Sequence, residues 1–159
     1  MHLFDLSRHL SRSGIIAESL PPALGQAFAF QRLGSGRVAV AVTDGGAANQ
    51  DAFDESLNLA ALRQLPVLFV VEDNDWGISV PRSHCASNVS NADRAAPYAM
   101  PGVRVEGNSV EAVHVAAGEA IARVLAKARP SSRCTRCVCG VTLRATLKAT
   151  GPARPAECS

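Results

Sequence analysis

Two side chains in this sequence are spaced in a way that could do chemistry. Asp44 follows the apolar run Val38-Ala39-Val40-Ala41-Val42, and Asn74 follows the run Val67-Leu68-Phe69-Val70-Val71. If both runs are parallel strands, both side chains emerge at the carboxyl edge of one sheet. Open α/β sheets bind their ligands there. Asp44 is followed by Gly45-Gly46 and then by a helix start. An acid and an amide converging beside a Gly-rich turn and a helix start suit a hard divalent cation that carries a phosphate group. Taken singly, each feature is ordinary. Asp-Gly-Gly after a strand is common turn chemistry, and Asp73-Asn74-Asp75 reads equally as a solvated turn. The pairing at this spacing is what favours a cation.

The elements that position these groups follow from periodicity. Pro22 near a helix start, with Leu24, Ala27 and Phe28 on one face and Gly34 beyond the end, predicts a first helix. Neither apolar run alternates, so the strands over 37–43 and 66–72 are expected to be buried on both faces, as parallel strands are. Between them, a helix over 51–63 carries Phe53, Leu57, Ala60 and Ala61 at helical spacing. Asp51 and Asp54 lie in its first turn, where the helix dipole favours negative charge. Strand, helix, strand in this order is a right-handed crossover unit. The loop from Gly77 to Asn91 is long and polar enough to cover a site. A short helix is expected over 93–98 and a third strand over 103–106. Asn108 with Glu111 reads as a capping box for a last helix. Val110, Val113, Ala117, Ile121, Val124 and Leu125 are its expected buried face. The result is an α/β fold, a doubly wound parallel sheet reduced to roughly three strands.

With these elements in order, the chain resembles the alpha subunits of the thiamine-diphosphate-dependent, decarboxylating component of 2-oxo acid dehydrogenase complexes, of the pyruvate, branched-chain and acetoin types. Four segments carry the resemblance: MHLFD from Met1, SGIIAESLPPALGQAFA from Ser13, the stretch from Thr43 to Ser79, and MPGVRVEGNSVEAV from Met100. They run in one register from Met1 to about Arg129. The family's Gly-Asp-Gly is here Thr43-Asp44-Gly45-Gly46, and its Asn-Asn is Asp73-Asn74. Aligned without a gap, Gly45 stands at the family's metal-binding Asp and Asp44 one place early. Setting Asp44 on that position takes one extra residue in the turn, which a Gly-rich turn can absorb.

The resemblance implies a partial thiamine-diphosphate-binding fold over 1–128, with an irregular C-terminal tail over 129–159. It implies Mg²⁺ held by Asp44, Asn74 and the Trp76 carbonyl. Around the same turn it implies Gly45, and Gly46 and Ala47 through their backbone, at the diphosphate. Backbone at Gly14 and Ile16 would meet the aminopyrimidine. The implied activity is oxidative decarboxylation of a 2-oxo acid, with the cofactor as electron sink and the acyl group passed to a lipoyl arm. No catalytic side chain is assigned to this chain, because the carboxylate that protonates the pyrimidine belongs to a beta subunit in this family. The implied partners are that beta subunit, in an alpha2-beta2 assembly, and the lipoyl-bearing acyltransferase component.

Composition bounds these readings. The 159 residues are 47% apolar and suffice for one domain with a core. No run approaches the roughly 18 apolar residues of a membrane span, and MHLFDLSRHL has no signal-peptide core. The expected location is the cytoplasm, with an organelle matrix left open, and no membrane partner is expected. Charge shifts sharply at Arg129: the stretch from Arg129 to Ser159 holds six basic residues and one acid, together with four of the five cysteines. Cys134 and Cys137 form a Cys-x-x-Cys without the second pair that zinc needs. The basic tail has no aromatic residue to stack on bases, so no nucleic-acid partner is expected. Its composition reads as disordered or as an out-of-frame translation. His2, His9, His84 and His114 are scattered, and His84-Cys85 lacks a third partner for nucleophilic catalysis. Read as a fragment missing both flanks, the chain leaves two functional classes open: a working alpha-type subunit, or an inactive remnant that keeps the fold or its subunit contacts.

Overall fold

A computed structural model describes residues 3–5, 7–8, 10–87, 90–127 and 139–144. Two short strands, β1 (Leu3–Asp5) and β2 (Leu10–Arg12), pair antiparallel at the front. Helix α1 (Leu20–Leu33) starts at the Pro21-Pro22 pair, whose fixed φ suits a first turn. It ends at Gly34, with φ 59°, whose N–H bonds the Gln31 carbonyl. Leu20, Ala23, Leu24 and Ala27 form its buried stripe. Phe28, expected on that stripe, is 46% exposed and lies under the Arg32 guanidinium instead.

The sheet begins with β3 (Ala39–Asp44), followed by α2 (Asp51–Arg63) and β4 (Val67–Asp73). The α2 bounds match the expected 51–63, and Phe53, Leu57 and Ala60 are buried as its spacing predicts. The segment that follows forms a two-strand hairpin, β5 (Trp76–Gly77) with β6 (Val80–Pro81). The short helix expected over 93–98 is a 3-10 helix over Asn91–Tyr98, capped by Ser90 and Asp93. Strand β7 (Gly102–Glu106), helix α3 (Val110–Lys127) and strand β8 (Cys139–Arg144) complete the fold.

The strand order is β3-β4-β8-β7, all parallel. The expected third strand, now β7, therefore does not pair with β4. Strand β8 fills the slot between them, and it comes from within the stretch read as an irregular tail. Basic charge and cysteine content marked the boundary there but carried no register information. Val141-Thr142-Leu143 is a β-prone run, and the two backbone edges flanking the slot need hydrogen-bond partners. Residues 129–138 and 145–159, including the Cys-x-x-Cys, lie outside the described residues.

The two crossovers run in opposite directions along the sheet. Because each prefers the right hand, their helices fall on opposite faces. Helices α1 and α2 cover one face, over Ala39, Ala41, Val67, Phe69 and Val71. Helix α3 covers the other, where Ala120 and Val124 pack with Leu68 and Val105. Its buried stripe is rotated from the expected one: Val110 is 80% exposed, and Ala112, Ala116 and Ala120 take up contact with Val113 and Ile121. Ser109 caps this helix through the Ala112 N–H, at 3.2 Å, in place of Asn108.

Burial on both faces holds for β4 but not for β3, where Val40 and Val42 are half exposed. Helix α3 lies over β7, β8 and β4 and does not reach the β3 edge.

Phe69 is 1% exposed and meets the Phe53 ring edge-on, with centroids 6.3 Å apart. Phe69→Ala should cost about 3–5 kcal/mol, read as a lower urea midpoint.

Tyr98 ties the 3-10 helix to α2 by donating its O–H to Asp54 Oδ1 at 3.4 Å. Burial, and then the neighbouring Asp54 carboxylate, push the phenol above its ordinary value. The native state thus holds this proton more tightly than the unfolded chain does. The stabilisation is complete below the unfolded value, about 10, and is lost as pH rises through the native one. Tyr98 is the only tyrosine, so phenolate absorbance isolates it. The midpoint should lie above that of free tyrosine and fall back in Asp54→Asn.

Candidate functional site

Strands β3 and β4 run parallel and in register, with Asp44 opposite Glu72, so their carboxyl ends stop level. The chain then turns twice in the same place. After Asp44, Gly45 extends the ladder by donating its N–H to the Glu72 carbonyl at 2.9 Å. The chain next folds through Gly46 into a short 3-10 turn, Ala47–Asn49, which leads into α2. Asp44 Oδ1 accepts the Ala47 N–H and closes that turn. After β4, the Asp75 N–H donates to Asp73 Oδ1 at 3.2 Å, and the Trp76 N–H donates to Asn74 Oδ1 at 3.0 Å. Asp75 takes the left-handed backbone, φ 66°, that makes this bend.

The two turns touch backbone to backbone. A Cβ on Gly46 would stand 3.2 Å from the Gly77 Cα, and one on Gly45 would stand 3.0 Å from Asp73 Oδ1. Any side chain there would fill the junction, so the glycines keep its main chain open to a ligand.

In front of this junction lies a cavity of about 700 Å³, within the usual range for a small-molecule or cofactor site. Gly14, Ile16, Val42, Asp44, Ala47 and Glu72 are among its walls. Four of the residues expected from sequence, Gly14, Ile16, Asp44 and Ala47, therefore meet in one space although 33 positions separate the first from the last. Gly45 and Gly46 form the turn between Asp44 and Ala47. Asn74 and Trp76 lie in the abutting turn, both exposed, and are not part of the cavity wall.

Sequence reasoning missed several groups. Asp73 was read as one of three solvated turn residues, yet it is 5% exposed. Its Oδ2 accepts Asn91 Nδ2–H at 2.9 Å and pairs with Arg82 Nε at 3.4 Å. Its position at an inward step of a doubly covered strand was the available signal. Glu72 joins Asp44 on the cavity wall, and the in-register pairing that puts them side by side could not be read beforehand. Asn91 arrives from the far end of the loop expected to cover the site, with no local signature. Arg94 braces the same corner, donating Nε–H to Asn91 Oδ1 at 3.2 Å and bonding the Asn49 side chain. His84 and Cys85 are exposed and take no part, and His114 is exposed on α3.

Among the described residues, no three His, Cys, Asp or Glu side chains are placed to hold a metal. A cation here would draw on carboxylate, amide and main-chain oxygens, with phosphate and water completing the shell. Those are the ligands Mg²⁺ prefers. Asp44 Oδ1 and Asn74 Oδ1 each accept one local N–H, which leaves lone pairs on both groups. The glycine-lined junction and these oxygen donors fit a metal–diphosphate group.

Comparison with known proteins agrees with this fold. The pattern of the dehydrogenase E1 component family matches residues 1–132. The alpha subunit of acetoin:2,6-dichlorophenolindophenol oxidoreductase from Cupriavidus necator is 42% identical over 132 residues, covering 82% of this chain and 40% of that protein. The alpha subunit of 3-methyl-2-oxobutanoate dehydrogenase from Mycobacterium tuberculosis is 41% identical over 109 residues, covering 69% of this chain and 30% of that protein. The chain thus spans well under half the length of these relatives. Benzoylformate decarboxylase from Polynucleobacter necessarius shares the fold, with a TM-score of 0.61 at 14% identity over 87% of this chain and 25% of that one. So does a structure described as a thiamin diphosphate-dependent enzyme from Mycobacterium smegmatis, with a TM-score of 0.58 at 17% identity over 86% of this chain and 23% of that one. With its parallel sheet, its paired carboxyl-end turns and these alpha-subunit relatives, the chain belongs to the dehydrogenase E1 component family.

Proposed function

We propose that this chain is the cofactor-holding part of an alpha-type subunit of a thiamine-diphosphate-dependent 2-oxo acid dehydrogenase. The observation that carries the reading is the meeting of Gly14, Ile16, Asp44 and Ala47 in one cavity, against the Gly46–Gly77 contact. Family membership and the thiamin-dependent fold neighbour support the choice of cofactor.

Thiamine diphosphate, when bound, supplies the electron sink for loss of CO₂ from a 2-oxo acid. The chain's own residues hold and shield it. Main chain at Gly46 and Ala47 faces the diphosphate at the start of the 3-10 turn that leads into α2. Asn74 Oδ1, the Trp76 carbonyl and a carboxylate at the junction hold Mg²⁺, and the motif offers Asp44 as that carboxylate. Gly14 and Ile16 bring main chain to the aminopyrimidine end of the cavity. Ile16 and Val42 give that end apolar walls. A beta subunit completes the site, and a lipoyl-bearing acyltransferase component receives the acyl group from the 2-oxo acid.

Calorimetric titration with thiamine diphosphate in Mg²⁺, with and without a co-expressed beta subunit, tests this. Saturable, Mg²⁺-dependent binding is expected. Asn74→Ala should weaken it by about tenfold or more, at least about 1.4 kcal/mol. Absence of binding in both states, from a chain that melts cooperatively, would overturn the proposal.

A further inference from the structure

The pleat of the sheet divides the acids at this junction into two sets. Asp44 and Glu72 are directly paired across β3 and β4, so they emerge on one face, beside the half-exposed Val40 and Val42. Asp73, one residue later, emerges on the opposite face with Phe69 and Val71. Gly45 is likewise one step beyond Asp44. The direction in which its side chain would point ends at Asp73: Oδ1 at 3.0 Å, Cγ at 3.3 Å, with Asn91 Nδ2 also at 3.3 Å. A carboxylate therefore stands where a Gly45 side chain would point, and it is delivered from β4.

Two further facts show that Asp73 is held for a purpose. A buried carboxylate costs several kcal/mol unless it is compensated, and this one accepts Asn91 Nδ2–H and the Asp75 N–H and forms an ion pair with Arg82. Asp44, which closes its own turn by accepting the Ala47 N–H, lies on the other face of the sheet from the direction in which Gly45 points.

We propose that Asp73, not Asp44, is the carboxylate that binds the divalent cation of the metal–diphosphate group, with Gly45 providing the space and Asp44 acting as the cap of the turn. This rests on the function proposed above. In the protein without cofactor, Arg82 balances the Asp73 charge. A cation at Asp73 Oδ1 takes over that role, so Arg82 and the metal compete for one carboxylate.

Mn²⁺ binding in the presence of thiamine diphosphate, followed by electron paramagnetic resonance on the full chain, distinguishes the two acids. Asp73→Asn should weaken Mn²⁺ binding by about tenfold or more, and Asp44→Asn by less than about threefold. Arg82→Gln, which leaves Asp73 in place, should tighten Mn²⁺ binding by removing its competitor. It answers the question even if Asp73→Asn does not fold, as judged by its melting curve. Loss of binding in Asp44→Asn with Asp73→Asn unaffected, or no tightening in a folded Arg82→Gln, overturns the assignment and leaves the cofactor reading intact. No Mn²⁺ binding by the parent chain overturns both.

Discussion

Everything at the site depends on two backbone turns meeting without side chains between them. Strands β3 and β4 are parallel and in register, so their carboxyl ends stop at the same height, and the chain must leave both in the same small volume. Glycine at 45, 46 and 77 lets the main chains approach closely, because a Cβ on Gly46 would already crowd Gly77. Parallel strands cannot be joined by a tight hairpin, so α2 is the obligatory connection between the turns. Its start then follows the junction after one short 3-10 turn, Ala47–Asn49. One constraint, level strand ends, thus produces an open main chain, a helix start and a cavity together.

The rest of the fold supports this junction from behind. Helices α1 and α2 bury the face that carries Ala41, Phe69 and Val71, and the small alanines of β3 let α1 lie close. The 3-10 helix from Asn91 to Tyr98 closes the corner through Asn91 to Asp73, Arg94 to Asp54 and Tyr98 to Asp54. These contacts link the end of β4 to α2 by polar groups, where an apolar core could not satisfy a buried carboxylate. On the other face, α3 covers β4, β8 and β7 and leaves the valines of β3 exposed. Val40 and Val42, half exposed on that face, are among the residues that line the cavity.

Electrostatics at the junction is a matter of which face each acid occupies. Asp44 and Glu72 share the cavity face, and Asp73 sits behind the glycine turn, compensated by Arg82 and Asn91. Successive residues at a strand end differ by half a pleat period, so a shift of one position moves a carboxylate from one side of the sheet to the other. The offset between Thr43-Asp44-Gly45-Gly46 and the family motif is therefore a change of face as well as of sequence.

Sequence alone determined the crossover β3-α2-β4, since its two apolar runs and the helical spacing of Phe53, Leu57 and Ala60 admit little else. Strand-end position also placed Asp44, with Gly45 and Gly46, and Asn74 at one edge, because residues directly after parallel strands gather there; the Gly14–Ile16 segment was expected from the family resemblance and not from strand geometry. Tertiary structure decided the remainder. The place of β8 between β4 and β7 is set by pairing partners distant in the chain, which local composition does not encode. The exposure of Val40 and Val42 depends on how far α3 reaches, and the rotation of the α3 stripe depends on the strands beneath it. The burial of Asp73 required knowing that Asn91 and Arg82 return to the end of β4. Periodicity reports which residues share a face; only packing tells what, if anything, covers it.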